Sequence, residues 1–268
     1  MLSALSARLR ALHGYRGFIA ASVHRDFHSR YAGSQIGMAW AVIQPFSLIF
    51  IYTVIFATVL HPRLAGHQSP LAYSIYLCAG LLTWTFFSDL LGRATGMFVA
   101  NAGLLKHIHF PIITLPVINI LSALIHFAII LVIFFGVLLL SGFFPGLLIL
   151  AAVPVLAVLI AFAIGLGLLA GILNVFYRDI EQAIGIVLQF WFWLTPIVYP
   201  ASILPDTVKG LLPLNPLYPV FTAMQGLFLE QRLPHWPALL YPLSLALLLL
   251  ALARRAYRHL GPEIVDQL

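Results

Sequence analysis

The sequence predicts an all-α integral membrane protein, and three observations support this class. First, 62% of the 268 residues are hydrophobic and only 8% are charged, whereas an average soluble domain carries about 25% charged residues. Second, charge-free runs recur along the chain and are long enough for helices that cross a hydrocarbon core of about 30 Å. Third, these runs show no alternating polar face, so a β-barrel is not expected.

The same composition excludes several other classes of protein. The charged residues are too few to cover the surface of an ordinary soluble enzyme. The net charge of +6 does not indicate binding to nucleic acid, because the positive charges are scattered along the chain instead of forming a patch. The single cysteine, Cys78, excludes a disulfide framework and a cysteine-based zinc site.

The N-terminal segment, residues 1–30, is predicted to be an amphipathic helix that lies on the inner membrane surface. Its apolar residues, such as Leu9 and Phe18, are interspersed with arginines and histidines, a mixture typical of interfacial helices. A solvated basic tail is the alternative interpretation. Because the segment has no uninterrupted apolar core, no cleavable signal peptide is expected.

Six membrane spans are predicted within one transmembrane domain, residues 31–253. They cover about residues 36–60, 71–91, 112–140, 147–173, 183–199 and 236–253. A Ser-Gly-Phe-Phe-Pro-Gly turn that starts at Ser141 separates the third span from the fourth. Residues 254–268 follow the last span as a predicted cytoplasmic tail.

The connection between the fifth and sixth spans, Pro200–Pro237, is neither a span nor a plain loop. It combines several prolines with short apolar pieces such as Val220–Leu229. Such pieces cannot cross a bilayer, and non-helical backbone survives at membrane depth only when it is packed in protein. The sequence therefore predicts re-entrant or interfacial half-helices on the outer side.

The distribution of Lys and Arg predicts the orientation of the spans. With six spans, both termini lie on one side, and 11 of the 14 basic residues fall there. The three on the other side are Arg63, Lys209 and Arg232. Because the basic side of a membrane protein is generally cytoplasmic, both termini are predicted to be cytoplasmic.

Motifs for chemistry are scarce in this chain. Neither of its lysines lies in a G-x-x-x-x-G-K-[ST] motif, so no phosphate loop for ATP is expected. We predict no catalytic residue, no cofactor site and no metal site. The few acids form no cluster within the spans, which argues against an ion-driven carrier. Active transport would then draw its energy from another subunit.

Three isolated polar features have two interpretations each. Asp89 and Arg93 have the i,i+4 spacing of a helix-end ion pair, and His126 in the third span suits a packing residue better than a proton relay. A membrane-embedded acyl- or glycosyltransferase that uses Asp89 or His126 is the enzymatic alternative, although no acid–base constellation supports it. The Arg178-Asp179 pair is either a solvated cluster or a contact with a cytoplasmic partner.

Aromatic residues are abundant in the first, second and fifth spans. They could anchor the protein at the membrane surface, or their rings could stack on sugars. The candidates for channel or glycan contact are Trp40, Trp84, Phe86, Phe87, Trp191, Trp193 and Tyr199. The pairs Gly33/Gly37, Gly92/Gly96 and Gly167/Gly171 fit the G-x-x-x-G packing motif, which is weak support for helix packing in a chain with 19 glycines.

Several strings resemble one known family. They are Arg30–Trp40, Ala79–Phe87, Asn101–Lys106, Phe176–Ile180, Thr195–Pro200 and Leu214–Pro216. Together they resemble the ABC-2 type permeases that export lipid-linked polysaccharides, and they are most similar to the O-antigen permeases called Wzm. Capsule and teichoic-acid permeases are near relatives. The resemblance covers the chain from about Asp26 to its end.

The resemblance implies the fold of a type V exporter and an assembly of four subunits. Two permease copies would form a homodimer, and two separate nucleotide-binding subunits would bind Mg²⁺ and hydrolyse ATP. The residues expected to couple to the ATPase are Asn101, Leu104, Leu105, Lys106, His107 and His109, together with Arg178 and Asp179. His107 and His109 stand where relatives often carry more basic residues.

The implied cargo is an undecaprenyl-diphosphate-linked polysaccharide of the O-antigen type, as in lipopolysaccharide biosynthesis. It would cross the bacterial inner membrane, where Arg25 and Arg30 are candidate contacts for the diphosphate. The alternatives are another lipid-linked glycan, such as capsule or teichoic acid, or a small lipid or drug. A passive channel is a further alternative.

Overall fold

A computed structural model of the protein describes residues 14–55, 69, 71–107 and 114–268. Within these ranges the chain forms α-helices joined by short turns, and no β-strand is present. The prediction of an all-α protein is therefore confirmed for the described residues. Arg8, Arg10, Arg63 and His109 lie outside them, as does the first part of the predicted N-terminal helix.

The helices are named here in chain order. They are α1 Arg16–Tyr31, α2 Trp40–Val54, α3 Ala72–Ala100, α4 Ala102–His107, α5 Thr114–Ser141, α6 Ala152–Phe176, α7 Ile180–Leu194, α8 Asp206–Lys209, α9 Tyr218–Leu229 and α10 Trp236–Gln267. Short 3-10 turns lie at Gly37–Ala39, Gly146–Ala151, Ala201–Ile203 and Leu212–Leu214.

Five helical stretches of the described chain are long and apolar enough to cross a membrane. They are Gly37–Val54, Ala72–Ala100, Thr114–Ser141, Gly146–Phe176 and Trp236–Gln267. They correspond to the predicted spans one, two, three, four and six. The predicted span five, residues 183–199, corresponds to α7, which has 15 residues. Because a helix rises about 1.5 Å per residue, α7 is only about 22 Å long and is shorter than the hydrocarbon core.

Helix α6 is the central helix, and glycines allow its close approach to α3 and α10. A Cβ atom at Gly167 would lie 2.4 Å from the Cβ of Ala94, and one at Gly171 would lie 2.8 Å from the Ala94 carbonyl oxygen. On another side, a Cβ at Gly165 would lie 3.0 Å from the Cβ of Leu249 in α10. The Gly167/Gly171 pair is thus a helix-packing motif.

The short helix α9 belongs to the core, although its 12 residues span only about 18 Å. Nine of them, Val220, Phe221 and Ala223–Leu229, are buried, and the helix packs on α3 and α6. Phe221 and Phe228 join the same hydrophobic cluster as Phe87 and Phe134. A helix too short to cross the membrane is therefore surrounded by longer ones.

Two opposite ends of the helix bundle can be distinguished. Helices α3 and α6 run in the same direction, because Gly167 packs on Leu91 and Ala94 while Gly171 packs further along on Thr95 and Phe98. Their C-terminal ends meet α4 and the C-terminal half of α10, where Phe98 stacks on Tyr257 at 6.1 Å. We call this the basic end. The residues from Thr195 to His235 form the other end, called the proline-rich end.

The described basic residues are concentrated at the basic end. Eight of the eleven described Lys and Arg residues lie there, namely Arg25, Arg30, Arg93, Lys106, Arg178, Arg254, Arg255 and Arg258. Lys209 and Arg232 lie at the proline-rich end, and the eleventh, Arg16, begins α1. This separation agrees with the charge asymmetry of the six-span arrangement. That the basic end is cytoplasmic stays a prediction. The predicted tail, residues 254–268, continues α10 without a break as far as Gln267.

Candidate functional site

An ion-pair cluster connects α1 to α3 at the basic end. Arg93 donates from Nε to Asp89 Oδ2 at 2.9 Å and from Nη1 to Asp26 Oδ2 at 2.8 Å. Arg30 Nη2 donates to Asp89 Oδ1 at 2.6 Å. The Asp89–Arg93 pair confirms the interaction predicted from their spacing. Two arginines balance two aspartates, so we call these four residues the α1–α3 ion-pair cluster.

The cluster is partly shielded from solvent. The Arg93 side chain is 12% exposed and that of Asp89 is 21% exposed. Helix α1 itself buries only Ile19, Ser22 and Val23, so its few apolar contacts are supplemented by charge. Removing one member would leave its partners as partly buried, unpaired charges, which is more costly than breaking an exposed pair.

His126 in α5 lies within electrostatic reach of this cluster. It interacts with Arg30, Asp89 and Arg93, and its Nδ1 atom is buried without a hydrogen-bond partner among the described residues. The Ser122 hydroxyl, one helical turn earlier, is also buried without a hydrogen-bond partner among the described residues. Since Asp89 is already bonded to two arginines, the cluster offers His126 no free carboxylate for acid–base catalysis.

A cavity of about 570 Å³ lies beside the cluster, between α1, α3, α4 and α5. We call it the inner cavity. Arg25 on α1 lies at its wall and is exposed, and it forms no ion pair within the described part of the chain. Gly92 on α3 also lines it, and a Cβ there would meet nothing within 4 Å. Of the two predicted diphosphate contacts, Arg25 is thus free and Arg30 is paired.

The residues predicted to couple to an ATPase follow α3 at the basic end. The amide of Asn101 donates to the Met97 carbonyl oxygen at 2.8 Å, and the Asn101 carbonyl oxygen accepts from the backbone of Leu104 and Leu105 at 3.0 Å. Leu105 packs against the hydrophobic cluster of this end, while Lys106 is exposed. His107 ends α4, and His109 lies beyond the described residues.

The turn between α6 and α7 carries the other predicted coupling residues, Arg178 and Asp179. Both are exposed. The side chain of Asn174, in α6, anchors this turn to α3. Its Oδ1 accepts a hydrogen bond from the backbone N–H of Glu181 at 3.2 Å, and its Nδ2 donates one to the Thr95 carbonyl oxygen at 3.5 Å. Asn174 is 1% exposed. The sequence analysis did not identify this role of Asn174. A single asparagine in an otherwise apolar helix was the pattern that could have indicated it.

Several of the predicted ligand-contacting aromatic residues are packing residues in this structure. Phe86 and Phe87 are 3% and 0% exposed. Phe86 stacks on Phe127 with a centroid distance of 4.5 Å, and Phe87 contacts the rings of Phe162 and Trp191. In this conformation the rings of Phe86 and Phe87 meet other helices and leave no surface for a ligand.

Trp84 and Trp191 are half-buried in the same aromatic region. Trp84 meets Phe192 edge to face at 5.4 Å, which joins α3 to α7. The indole N–H of Trp191 donates to Asn215 Oδ1 at 2.9 Å. Both indoles therefore hold the short helix α7 in place.

The remaining predicted aromatic contacts are accessible. Trp40 and Trp193 are 41% and 59% exposed, and Tyr199 is partly exposed. Trp40 uses its indole N–H in a 3.1 Å bond to Ser34, and the Tyr199 hydroxyl donates to the Trp193 carbonyl oxygen. Their rings retain apolar surface that a passing molecule can touch.

The chain leaves the helical conformation directly after α7, at Thr195–Pro196. Its carbonyl groups are satisfied by side chains from α3 and α9. Tyr76 donates to the Pro196 and Tyr199 carbonyl oxygens at 3.1 and 3.0 Å, Tyr73 donates to that of Val198, and Gln225 donates to that of Pro196 at 3.3 Å. Non-helical backbone at membrane depth requires hydrogen bonds of this kind, because no water is available to satisfy its carbonyl groups. Sequence reasoning did not identify Tyr73, Tyr76 or Gln225.

Asn215, which lies shortly before α9, contributes further hydrogen bonds to the same region. Its Nδ2 donates to Thr195 Oγ1 at 2.9 Å, and its Oδ1 accepts from the Leu217 backbone N–H at 3.0 Å as well as from Trp191. The proline-rich end is thus a hydrogen-bonded structure that fixes the end of α7.

Comparison with known proteins gives consistent results. A family model described as "ABC-2 type transporter" matches residues 18–229. The O-antigen export system permease protein RfbA of Myxococcus xanthus is 26% identical over 262 residues, which are 97% of this chain and 98% of that protein. A protein of the same name from Klebsiella pneumoniae is 26% identical over 86% of this chain and 87% of its own length. The polysialic acid transport protein KpsM of Escherichia coli is 24% identical over 72% of this chain and 74% of its own length.

Proposed function

The chain belongs to the ABC-2 type transporter family, and from this premise we propose that it is the membrane subunit of an ATP-driven polysaccharide exporter. The observation that carries the proposal is the similarity over 97% of the chain to a protein named as an O-antigen export permease. The exported polymer is of the O-antigen type, linked to undecaprenyl diphosphate, and it crosses the bacterial inner membrane. The similarity to KpsM favours a capsule-type glycan as the second candidate cargo.

The energy comes from a separate nucleotide-binding subunit in this proposal. The chain has no phosphate loop, since neither lysine follows the required glycines. The ATPase docks at the basic end, on the exposed residues of α4 and on the Arg178-Asp179 turn. Leu105 packs against the hydrophobic cluster that includes Met97 and Phe98 of α3 and Ile264 of α10, so movement of α4 would be transmitted to these helices through the cluster.

Two copies of the chain pair with two ATPase subunits. Helices α2 and α7 each expose large apolar side chains, such as Phe46 and Phe50 in α2 and Phe190 and Trp193 in α7. In a homodimer part of this apolar surface is covered by the second copy, and the rest meets lipid. Each copy presents α7 with its broken end, so a channel at the dimer axis has Trp193 and Tyr199 near its outer part.

The lipid head enters at the inner cavity. Arg25 supplies a free guanidinium at the cavity wall, a group suited to a diphosphate. The polymer then passes through a continuous channel, because a long glycan cannot fit into a closed pocket. Trp40, Trp193 and Tyr199 are the accessible aromatic residues for contact with sugar.

The test is export by proteoliposomes that contain this chain, its ATPase and lipid-linked glycan. Glycan on the opposite face, detected by an antibody or lectin, is expected only when ATP is present. The matched control replaces the phosphate-loop lysine of the ATPase by alanine, which should abolish export. Glycan transfer without ATP would indicate a passive channel, and ATP-driven transfer of a small lipid but not of glycan would identify a different cargo.

A further inference from the structure

A second cavity, of about 480 Å³, opens at the proline-rich end between α9 and the start of α10. We call it the outer cavity. Its walls include Tyr218, Thr222, Gly226, Arg232, His235 and Tyr241. The remaining wall is mostly apolar and contains four prolines. Its volume lies in the range of about 300–1,000 Å³ that is usual for small-molecule sites.

Three polar groups of the outer cavity are unused. Within the described chain, the Tyr218 hydroxyl, the Thr222 hydroxyl and the His235 ring form no hydrogen bond. By contrast, the Tyr241 hydroxyl donates to the Leu214 carbonyl oxygen at 3.0 Å. Unused donors and acceptors on apolar walls form the pattern of a ligand site, where polar groups set orientation and apolar surface supplies contact area.

Arg232 is held over this cavity in a defined position. Its Nε lies 2.6 Å from Glu230 Oε2, and its backbone N–H donates to the Gly226 carbonyl oxygen at 3.3 Å. A Cβ at Gly226 would lie 2.9 Å from Arg232 Nε, so the glycine makes room for the guanidinium. The turn between them includes Gln231, whose φ of 50° is unusual for a residue other than glycine.

The outer cavity also adjoins the broken end of α7. A smaller cavity of about 130 Å³ shares the wall residues Tyr218, Thr222, Gly226 and Arg232 with it. This smaller cavity extends to Tyr76 and Pro196. Through these shared wall residues the outer cavity adjoins the Pro196–Pro200 segment, which carries Tyr199.

We propose that the outer cavity binds a single sugar unit of the exported glycan. The inference rests on the proposed function and names a saccharide site on the outer side. The tyrosine rings and prolines contact the C–H face of the sugar, while Tyr218, Thr222, His235 and the free nitrogens of Arg232 bind its hydroxyl groups. A lipid tail would leave these polar groups unpaired, which is unfavourable. A simple anion is disfavoured because Arg232 already has Glu230 as its counter-ion.

The test measures binding of free sugars to the purified full-length chain in lipid nanodiscs. Saturation-transfer NMR is recorded with D-galactose, D-mannose, L-rhamnose and N-acetyl-D-glucosamine as separate probes. At least one is expected to bind, with a dissociation constant in the millimolar range. The double variant Tyr218→Phe, Thr222→Val should weaken that binding about tenfold, because it removes two hydroxyls that bind the sugar.

The variant should not disturb the fold, since neither hydroxyl bonds to another described residue. Its thermal unfolding is therefore expected to match that of the unaltered chain. The control is Tyr177→Phe, which removes a hydroxyl from an exposed tyrosine at the opposite end and should leave sugar binding unchanged.

Two outcomes would overturn the inference: saturation transfer to none of the sugars, or transfer that persists undiminished in the double variant. A phospholipid retained by the unaltered chain and lost from the variant, seen by native mass spectrometry, would assign the cavity to lipid instead. The export assay separates this inference from the proposed function. Export of glycan without sugar binding rejects only the saccharide site, whereas sugar binding without export rejects the proposed function.

Discussion

At the scale of single residues, Arg93 links two helices through ion pairs. It is the more buried partner in its ion pairs and bonds to acids on two helices, Asp26 in α1 and Asp89 in its own helix. The spacing of Asp89 and Arg93 predicted one of these pairs. The Arg93–Asp26 pair and the Arg30–Asp89 pair join residues that are 67 and 59 positions apart, and no local pattern indicates them.

We predict that Arg93→Leu lowers the free energy of unfolding by about 1.5–3 kcal/mol, because Asp26 and Asp89 lose charged hydrogen bonds at a partly buried site. Thermal unfolding of the detergent-solubilised chain measures the change. The control is Lys209→Leu, which breaks an exposed pair with Asp206 and should cost less than about 1 kcal/mol. Equal effects of the two variants would contradict a special role for the cluster.

At the scale of helices, apolar runs predicted where helices lie better than where they end. The fifth span was predicted to reach Tyr199, but α7 ends at Leu194 because Thr195 precedes a proline, a position where helical backbone is disfavoured. The proline was visible in the sequence. The side chains of Tyr76 and Gln225, which satisfy the freed carbonyl groups, come from other helices and were not predictable from local sequence.

The helix of the sixth span, in contrast, is longer than predicted. Its predicted end at Ala253 marks where charged residues begin, whereas α10 continues to Gln267. The added turns are helical because Tyr257 and Ile264 pack on the hydrophobic cluster at the basic end. Hydropathy predicts the limits of the apolar region, and tertiary packing decides how far the helix extends.

The close packing of α3 on α6 gives a prediction at this scale. Gly167→Ala should destabilise the chain by about 1–3 kcal/mol, because its Cβ overlaps that of Ala94 and forces the two helices apart. Gly136→Ala is the matched control. Its Cβ would meet nothing within 4 Å, so it should be neutral or stabilising by up to about 1 kcal/mol. Thermal unfolding measures both.

Rescue across the helix interface makes the same prediction stricter. The double variant Ala94→Gly, Gly167→Ala moves the single methyl group from one helix to the other. It should recover most of the stability lost in Gly167→Ala, since the overlap is removed. A double variant that is less stable than Gly167→Ala would show that the overlap is not the cause.

At the scale of the whole molecule, the two lysines mark the two ends of the bundle. Lys106 lies at the basic end and Lys209 at the proline-rich end, and the predicted orientation places them on opposite sides of the membrane. The single native cysteine, Cys78, is 1% exposed and should react slowly with polar thiol reagents. A cysteine introduced in place of either lysine therefore gives a specific label.

We predict that in right-side-out vesicles, which keep the cytoplasmic face inside, Lys209→Cys reacts with a membrane-impermeant maleimide and Lys106→Cys does not. In inverted vesicles the pattern should reverse, and adding the ATPase subunit should then protect Cys at position 106, because α4 lies under the docked subunit. The unaltered chain, with Cys78 alone, gives the background. Labelling of both positions from the same side would reject the orientation, and labelling at position 106 that the ATPase does not reduce would reject docking at the basic end.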